Sequence, residues 1–306
     1  MLRYVIKRIF FLFPILLGMT VVVFLMLHLA PGDPIDLIVG PNVTPEIREN
    51  IRHQYGLDRP LPIQYLHFLG NLLKGDLGTS IIQHRPVAEI IIQRFPVTLE
   101  LSVAGLLISF LVAIPIGVKA AIKRNTLTDY ICMVTSLVGI SMPTFWLGLM
   151  LLYIFAYKLR LFPVSGYGTW KHLFLPALTL GFTDAALTAR MVRSSMLEVI
   201  RQDYIRTARS KGLSEKLVIN RHALKNALIP IITLLGLRIG WIMGGSVVLE
   251  IVFTRPGLGR MMIEAILARD YPVVQGGMVV LTTAIILGNL FADLLYAIVD
   301  PRIKLR

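Results

Sequence analysis

IFFLFPILLGMTVVVFLMLHL, from Ile9 to Leu29, contains no Asp, Glu, Lys or Arg. A bilayer core of about 30 Å is crossed by about 20 apolar residues in a helix, so this run is long enough to span. Arg3, Lys7 and Arg8 precede it. The run is too long for the core of a cleavable signal, which makes it a retained first span. Five more apolar windows follow, at about 99–121, 131–156, 173–192, 228–249 and 274–298. In the third, Gly139 and Pro143 are placed to bend or break the helix. The expectation is an all-α integral membrane protein with six transmembrane helices.

Composition agrees with that reading. Of 306 residues, 55% are hydrophobic and 16% charged, with a mean hydropathy of +0.71; soluble domains carry about 25% charged residues. The formal net charge of +13 is distributed as a topology signal. With the N-terminus inside, the inner stretches hold 18 Lys/Arg against 5 acidic residues, and the outer ones 12 against 11. The excess of Lys and Arg on one side places both termini in the cytoplasm. Nucleic-acid binding, the other common meaning of a basic chain, is disfavoured because the charge is scattered over short loops with no recognition domain.

The outer stretch of about 30–98 is too long to be structureless, so it should be a helical insertion. Thr44, Pro45 and Glu46 read as an N-cap, a proline at the first helical position and an acid in the first turn, with Gly56 closing the segment. A second helix starts at Pro62 and sets Ile63, Leu66, Leu69 and Leu73 on one face. The chain thus divides into 1–29, the insertion 30–98, and a core of 99–306. Asn42-Val43-Thr44 matches a glycosylation triplet, a pattern common by chance, and is given no weight.

The longest inner loop reads SSMLEVIRQDYIRTARSKGLSEKLVINRHALKNALIPI, Ser194 to Ile231. Helix formers run through Arg209, Gly212 stands where a left-handed helix stop belongs, and Ser214 can cap a second helix. Ala208 and Gly212 give a close-approach surface, Tyr204 an aromatic anchor, and Arg206, Arg209 and Lys211 surround them with charge. Residue chemistry alone leaves open whether this loop grips a soluble partner or touches anionic lipid.

DYIRTARSKG followed by HALKNALIP resembles the cytoplasmic coupling loop of ABC-importer permeases of the dipeptide, oligopeptide, nickel and glutathione group. MLRYVIKRI, the APGDP of Ala30 to Pro34, the YGLDRPLPIQY of Tyr55 to Tyr65 and the RPGLGRMMIEAILARDYPVVQG of Arg255 to Gly276 resemble that group's first permease subunit. The resemblance covers nearly the whole chain. It implies a type I importer transmembrane domain in which Asp203, Tyr204, Ala208, Lys211 and Gly212 dock an ATPase. Where the general importer pattern begins Glu-Ala-Ala, this chain has Thr207-Ala208-Arg209, so only the central alanine and Gly212 match. The implied partners are a second homologous permease, two ATPase subunits and an extracytoplasmic solute-binding protein, all at a bacterial cytoplasmic (inner) membrane.

No GxxxxGK[ST] loop is present, so ATP and magnesium belong to the partner subunits, and no cofactor is expected on this chain. Gly257 and Gly259 form a loop bend rather than a phosphate cradle. Cys132 is the sole cysteine, which excludes an internal disulfide and a cysteine metal cluster. His28, His172 and His222 lack ligand spacing, so no metal is expected.

Asp184, Arg238 and Asp293 lie inside apolar windows, where each costs about 2.5–3.5 kcal/mol on insertion scales. They either line a path that meets a peptide's charged ends or form a buried pair that fixes helix register. Glu100 and Glu250, near outer boundaries, are weaker path candidates. The expected function is ATP-driven import of di- or oligopeptides by alternating access, with nickel complexes or glutathione as the alternative cargo. A membrane enzyme would need convergent acids or a metal, and a secondary transporter repeats and ion sites of its own.

Overall fold

The computed structural model describes residues 2–29, 44–54 and 56–299. The helices are α1 (Leu2–Leu29), α2 (Pro45–Gln54), α3 (Leu61–Leu73), α4 (Val87–Ile122), α5 (Leu127–Ser141), α6 (Thr144–Leu151), α7 (Trp170–Val199), α8 (Asp203–Ser210), α9 (Ile229–Val252), α10 (Leu258–Leu267) and α11 (Tyr271–Val299). Among the described residues there is no strand, only an isolated bridge between Thr79 and Pro86. APGDP and Asn42-Val43 lie outside the described residues.

Every apolar window read from the sequence coincides with helix. By length and composition alone, Val87–Ile122 and Tyr271–Ala292 can each cross a membrane, and Phe13–Leu29 is a shorter apolar stretch. The third window is a broken one: Leu127–Ser141 and Thr144–Lys158 meet at 103°. The break falls at Pro143, whose extended conformation (φ −58°, ψ 132°) starts the second arm. Proline has no N–H to continue the ladder and disfavours helical geometry in the residue before it. Past Leu151 the second arm is wound as a π-helix over Leu152–Lys158.

Contacts divide the chain into two compact units. One comprises Thr98–Pro256 with the chain from Ile285; the other comprises Leu2–Val97 with Gly257–Ala284. In the first, α7 packs on α5, α6 and α9. An apolar cluster that includes Leu101, Leu175, Leu180, Ile242 and Leu249 fills one part of it, and a second cluster gathers Val192, Met196, Ile205, Val218 and Ala223. Helices α4 and α7 touch backbone to backbone at Gly181, where a Cβ would lie 2.7 Å from the Gly105 carbonyl oxygen. That approach needs glycine.

In the second unit, Gly56 (φ +66°) follows α2 as expected. Helix α3 carries an apolar face, but Ile63, Leu66 and Leu73 are exposed. It is tied to α1 by polar and aromatic contacts: Tyr65 Oη lies 3.1 Å from Thr20 Oγ1, Gln64 Oε1 accepts from His28 Nε2 at 3.1 Å, and the Tyr65 ring meets Phe24 edge-on with ring centres 5.3 Å apart. Asp270, buried, accepts hydrogen bonds from the Ser80 hydroxyl and from the Ile81 and Ile82 amides.

Candidate functional site

The Ser194–Ile231 loop is folded throughout, and its first helix is interrupted where the sequence suggested continuity. After α7 ends at Val199, Gln202 turns extended (φ −69°, ψ 148°) and α8 restarts at Asp203. The turn rolls Ile205 and Ala208 into the cluster of Val192, Met196, Val218 and Ala223, where burial of aliphatic surface stabilises the seat. Asp203, in the first turn of α8, complements the helix dipole.

This two-faced packing sorts the residues singled out from sequence. Asp203, Tyr204, Arg206, Lys211 and Gly212 are each exposed. Ala208 is 7% exposed and faces its own subunit, so the small side chain lets α8 lie close to its own core. Tyr204 is held in place because its Oη accepts from Asn226 Nδ2 at 2.8 Å. Gly212 has φ +75°, the left-handed stop expected of it. Ser214 occupies the next N-cap position without a side-chain bond, preceding a short turn, Glu215–Leu217, and a π-wound stretch, Val218–Ala223.

Two features of the loop were missed from sequence. Arg209 donates to Glu215 through Nε at 3.0 Å and Nη2 at 2.6 Å, bracing the turn across Gly212. The Arg209 guanidinium holds the Glu215 carboxyl below its usual range, and Glu215 raises Arg209 in return, in both cases chiefly through that hydrogen bond. The signal was the Arg-x5-Glu spacing across a glycine turn. Ser195 Oγ also donates to the Ala227 carbonyl at 2.8 Å, tying the loop's end to its start.

The apolar windows hold the second set of candidates. Asp184 of α7 and Arg238 of α9 meet as an ion pair, Nη1 to Oδ1 at 3.0 Å. Ser109 Oγ donates to Asp184 Oδ2 at 2.6 Å and Thr188 Oγ1 at 3.3 Å. Oδ1 has no hydrogen-bonded donor, so the Arg238 contact is ionic but off the bonding direction. Beside it lies a cavity of about 320 Å³ lined by Asp184, Thr183, Thr144, Gly240, Gly244 and Gly245, among others. The Asp293 side chain lies outside the described residues.

Glu100 and Glu250 belong to different arrangements. Glu250 is fully buried and accepts from Thr98 Oγ1 at 2.6 Å. Glu100 accepts from Arg255 Nη2 at 2.8 Å, while Arg255 Nη1 donates to the His172 carbonyl and the guanidinium lies 5.2 Å from the Tyr167 ring centre. Arg255, 1% exposed, entered the sequence reading only as the first residue of the RPGLGR stretch. An arginine ending an apolar run just before proline was the available signal.

Residues 1–102 match a family described as the N-terminal part of binding-protein-dependent transport system membrane components, and residues 113–305 match binding-protein-dependent transport system inner membrane components. The glutathione transport system permease protein GsiC of Salmonella typhimurium is 44% identical over 304 residues, 99% of each chain. The GsiC proteins of Pectobacterium atrosepticum and Escherichia coli K12 are 45% and 43% identical over the same length and coverage. Among solved structures, the inward-facing MetNI methionine ABC transporter aligns with a TM-score of 0.60 at 18% identity, covering 69% of this chain and 96% of that one, a likeness of fold alone. The chain therefore belongs to the inner membrane components of binding-protein-dependent transport systems, as a permease subunit of an ABC importer whose ATP hydrolysis is supplied by a partner.

Proposed function

We propose that this permease carries short peptides, di- or oligopeptides, with glutathione as the nearest alternative and nickel complexes after it. The GsiC relatives support a peptide-like cargo, since glutathione is itself a tripeptide. The subunit crosses the membrane six times with both termini cytoplasmic, pairs with a second homologous permease, and receives cargo from an extracytoplasmic binding protein. Two ATPase subunits bind ATP and magnesium, and their closure moves the paired permeases between inward-open and outward-open states.

The observation that carries the coupling is the two-faced α8, seated by Ile205 and Ala208 and presenting Asp203, Tyr204, Lys211 and Gly212 outward. A stiff, exposed helix backed by its own core transmits a push, whereas a floppy loop absorbs it. Ala208 then acts as the seat, and the exposed four as the docking rim.

The test is an Arg206→Glu, Lys211→Glu double variant, both positions exposed and outside the apolar seat. Co-purification of the ATPase subunits and ATP-dependent peptide uptake in vesicles should both be lost while membrane insertion and pairing with the second permease persist. Normal ATPase recovery and uptake would move the docking element elsewhere.

A further inference from the structure

The cavity beside Asp184 is a built site rather than a packing fault. On α9 it is lined by Gly240, Ile242, Gly244 and Gly245; a Cβ at Gly240 would crowd Ile285 at 3.0 Å and one at Gly245 would touch Leu180 at 3.5 Å. A Cβ added at Gly244 would meet nothing within 4 Å. From α7 the lining includes Leu180, Thr183 and Asp184, with Thr144 from α6. At about 320 Å³ the space is at the small end for ligand pockets, fit for a dipeptide rather than a long chain.

The chemistry is specific. Asp184 is 5% exposed, and its position is fixed by the glycine contact of α7 with α4 at Gly181. One oxygen, Oδ2, is occupied by Ser109 and Thr188. The other, Oδ1, receives no hydrogen bond, and Arg238 approaches it at 3.0 Å off the bonding direction. A buried carboxylate oxygen without a donor is costly, and a charge-assisted N–H bond is the strongest available remedy. Among the described residues no cluster of His, Cys, Asp and Glu could hold a metal ion.

We infer that this cavity is a cargo-contact site within the permease, where Asp184 Oδ1 accepts the α-ammonium of a peptide and Arg238 turns onto a cargo carboxylate. The exchange keeps charge balanced: one zwitterion replaces one ion-pair contact, and neither buried charge is left alone. The site thereby selects for a free amino terminus, inside the membrane and independently of the binding protein. The assignment rests on the peptide-like cargo proposed above.

The experiment places a cysteine at Gly244 in a Cys132→Ser background and follows its modification by N-ethylmaleimide in the assembled complex. Dialanine should slow labelling, whereas N-acetyl-dialanine should not. Asp184→Asn should weaken the protection about ten-fold or more, the usual effect of losing one charged hydrogen bond. Equal protection by both peptides, no protection by either, protection that survives Asp184→Asn, or a cysteine that never labels would each overturn the assignment. Dialanine and glutathione uptake by the wild-type complex in vesicles is measured alongside. Uptake without amine-selective protection removes the site but leaves the cargo reading; no uptake of either peptide removes both.

Discussion

Helix α7 carries one partner of each of two ion pairs, and they are built differently. Toward its end, Arg193 grips Asp129 of α5 with two parallel bonds, Nε to Oδ1 at 2.6 Å and Nη2 to Oδ2 at 2.7 Å, and the Asn125 amide adds a third at 3.1 Å. Farther back, Asp184 keeps one oxygen without a donor and faces Arg238 obliquely. The first carboxylate has spent its lone pairs on the fold. The second has one to offer, and it is this one that borders a cavity. A saturated buried pair is the mark of a clamp, and an unsaturated one beside open space is the mark of a site.

The comparison predicts its largest effect at the clamp. Removing Arg193 as Met strands the Asp129 carboxyl, 3% exposed, without its counter-charge, a change that costs about 3–5 kcal/mol in buried pairs. The denaturation midpoint of the detergent-solubilised protein should fall accordingly, and a midpoint near wild type would mean that the pair is solvated and no clamp. The pH dependence follows from sign. The Arg193 hydrogen bond holds the Asp129 carboxyl below its usual range. Its stabilisation is therefore complete above the unfolded value of about 3.9 and disappears only as pH falls through the lowered folded value. Melting curves between pH 6 and 8 should show no pH dependence arising from this pair, whose stabilisation is full and constant there.

Asp184→Asn should cost less, on the order of 1 kcal/mol. The amide oxygen can still accept from Ser109, and Arg238, with 17% of its side chain exposed beside a half-open cavity, can take up water. The same midpoint measurement checks it. A loss as large as that of Arg193→Met would make Asp184 a second clamp and erase the distinction between the two pairs.

How much of this was legible in the sequence depends on the range of the interaction. The apolar windows, the break at Pro143 and the stop at Gly212 were readable because each is a local rule about burial or backbone angle. Asp184 and Arg238 were readable as intramembrane charges, but their oblique pairing was not, since it depends on how α7 and α9 approach through glycine-lined space. The clamp was invisible because Asp129 and Arg193 each look like ordinary loop-edge charges until α5 and α7 pack together. The inward turn of Ala208 was hidden for a similar reason: it follows from a break at Gln202 that no residue in the loop announces.

The smallest effect is expected where an ion pair has good geometry but no burial. Arg209 and Glu215 match the clamp in form, two bonds in a fork, yet their side chains are 41% and 56% exposed. Water competes for both partners, and exposed pairs contribute from nothing to about 1 kcal/mol. Glu215→Gln should therefore leave the denaturation midpoint almost unchanged, and ATPase co-purification should persist because the apolar seat of Ile205 and Ala208 holds α8. Hydrogen exchange at the Gly212 amide, which donates to the Arg209 carbonyl at 2.9 Å, gives the finer reading. Faster exchange with an unchanged midpoint means that the fork stiffens only the turn. A large drop in midpoint would mean that charge, not buried aliphatic surface, positions the helix, and geometry rather than burial would then be what separates a clamp from a weak pair.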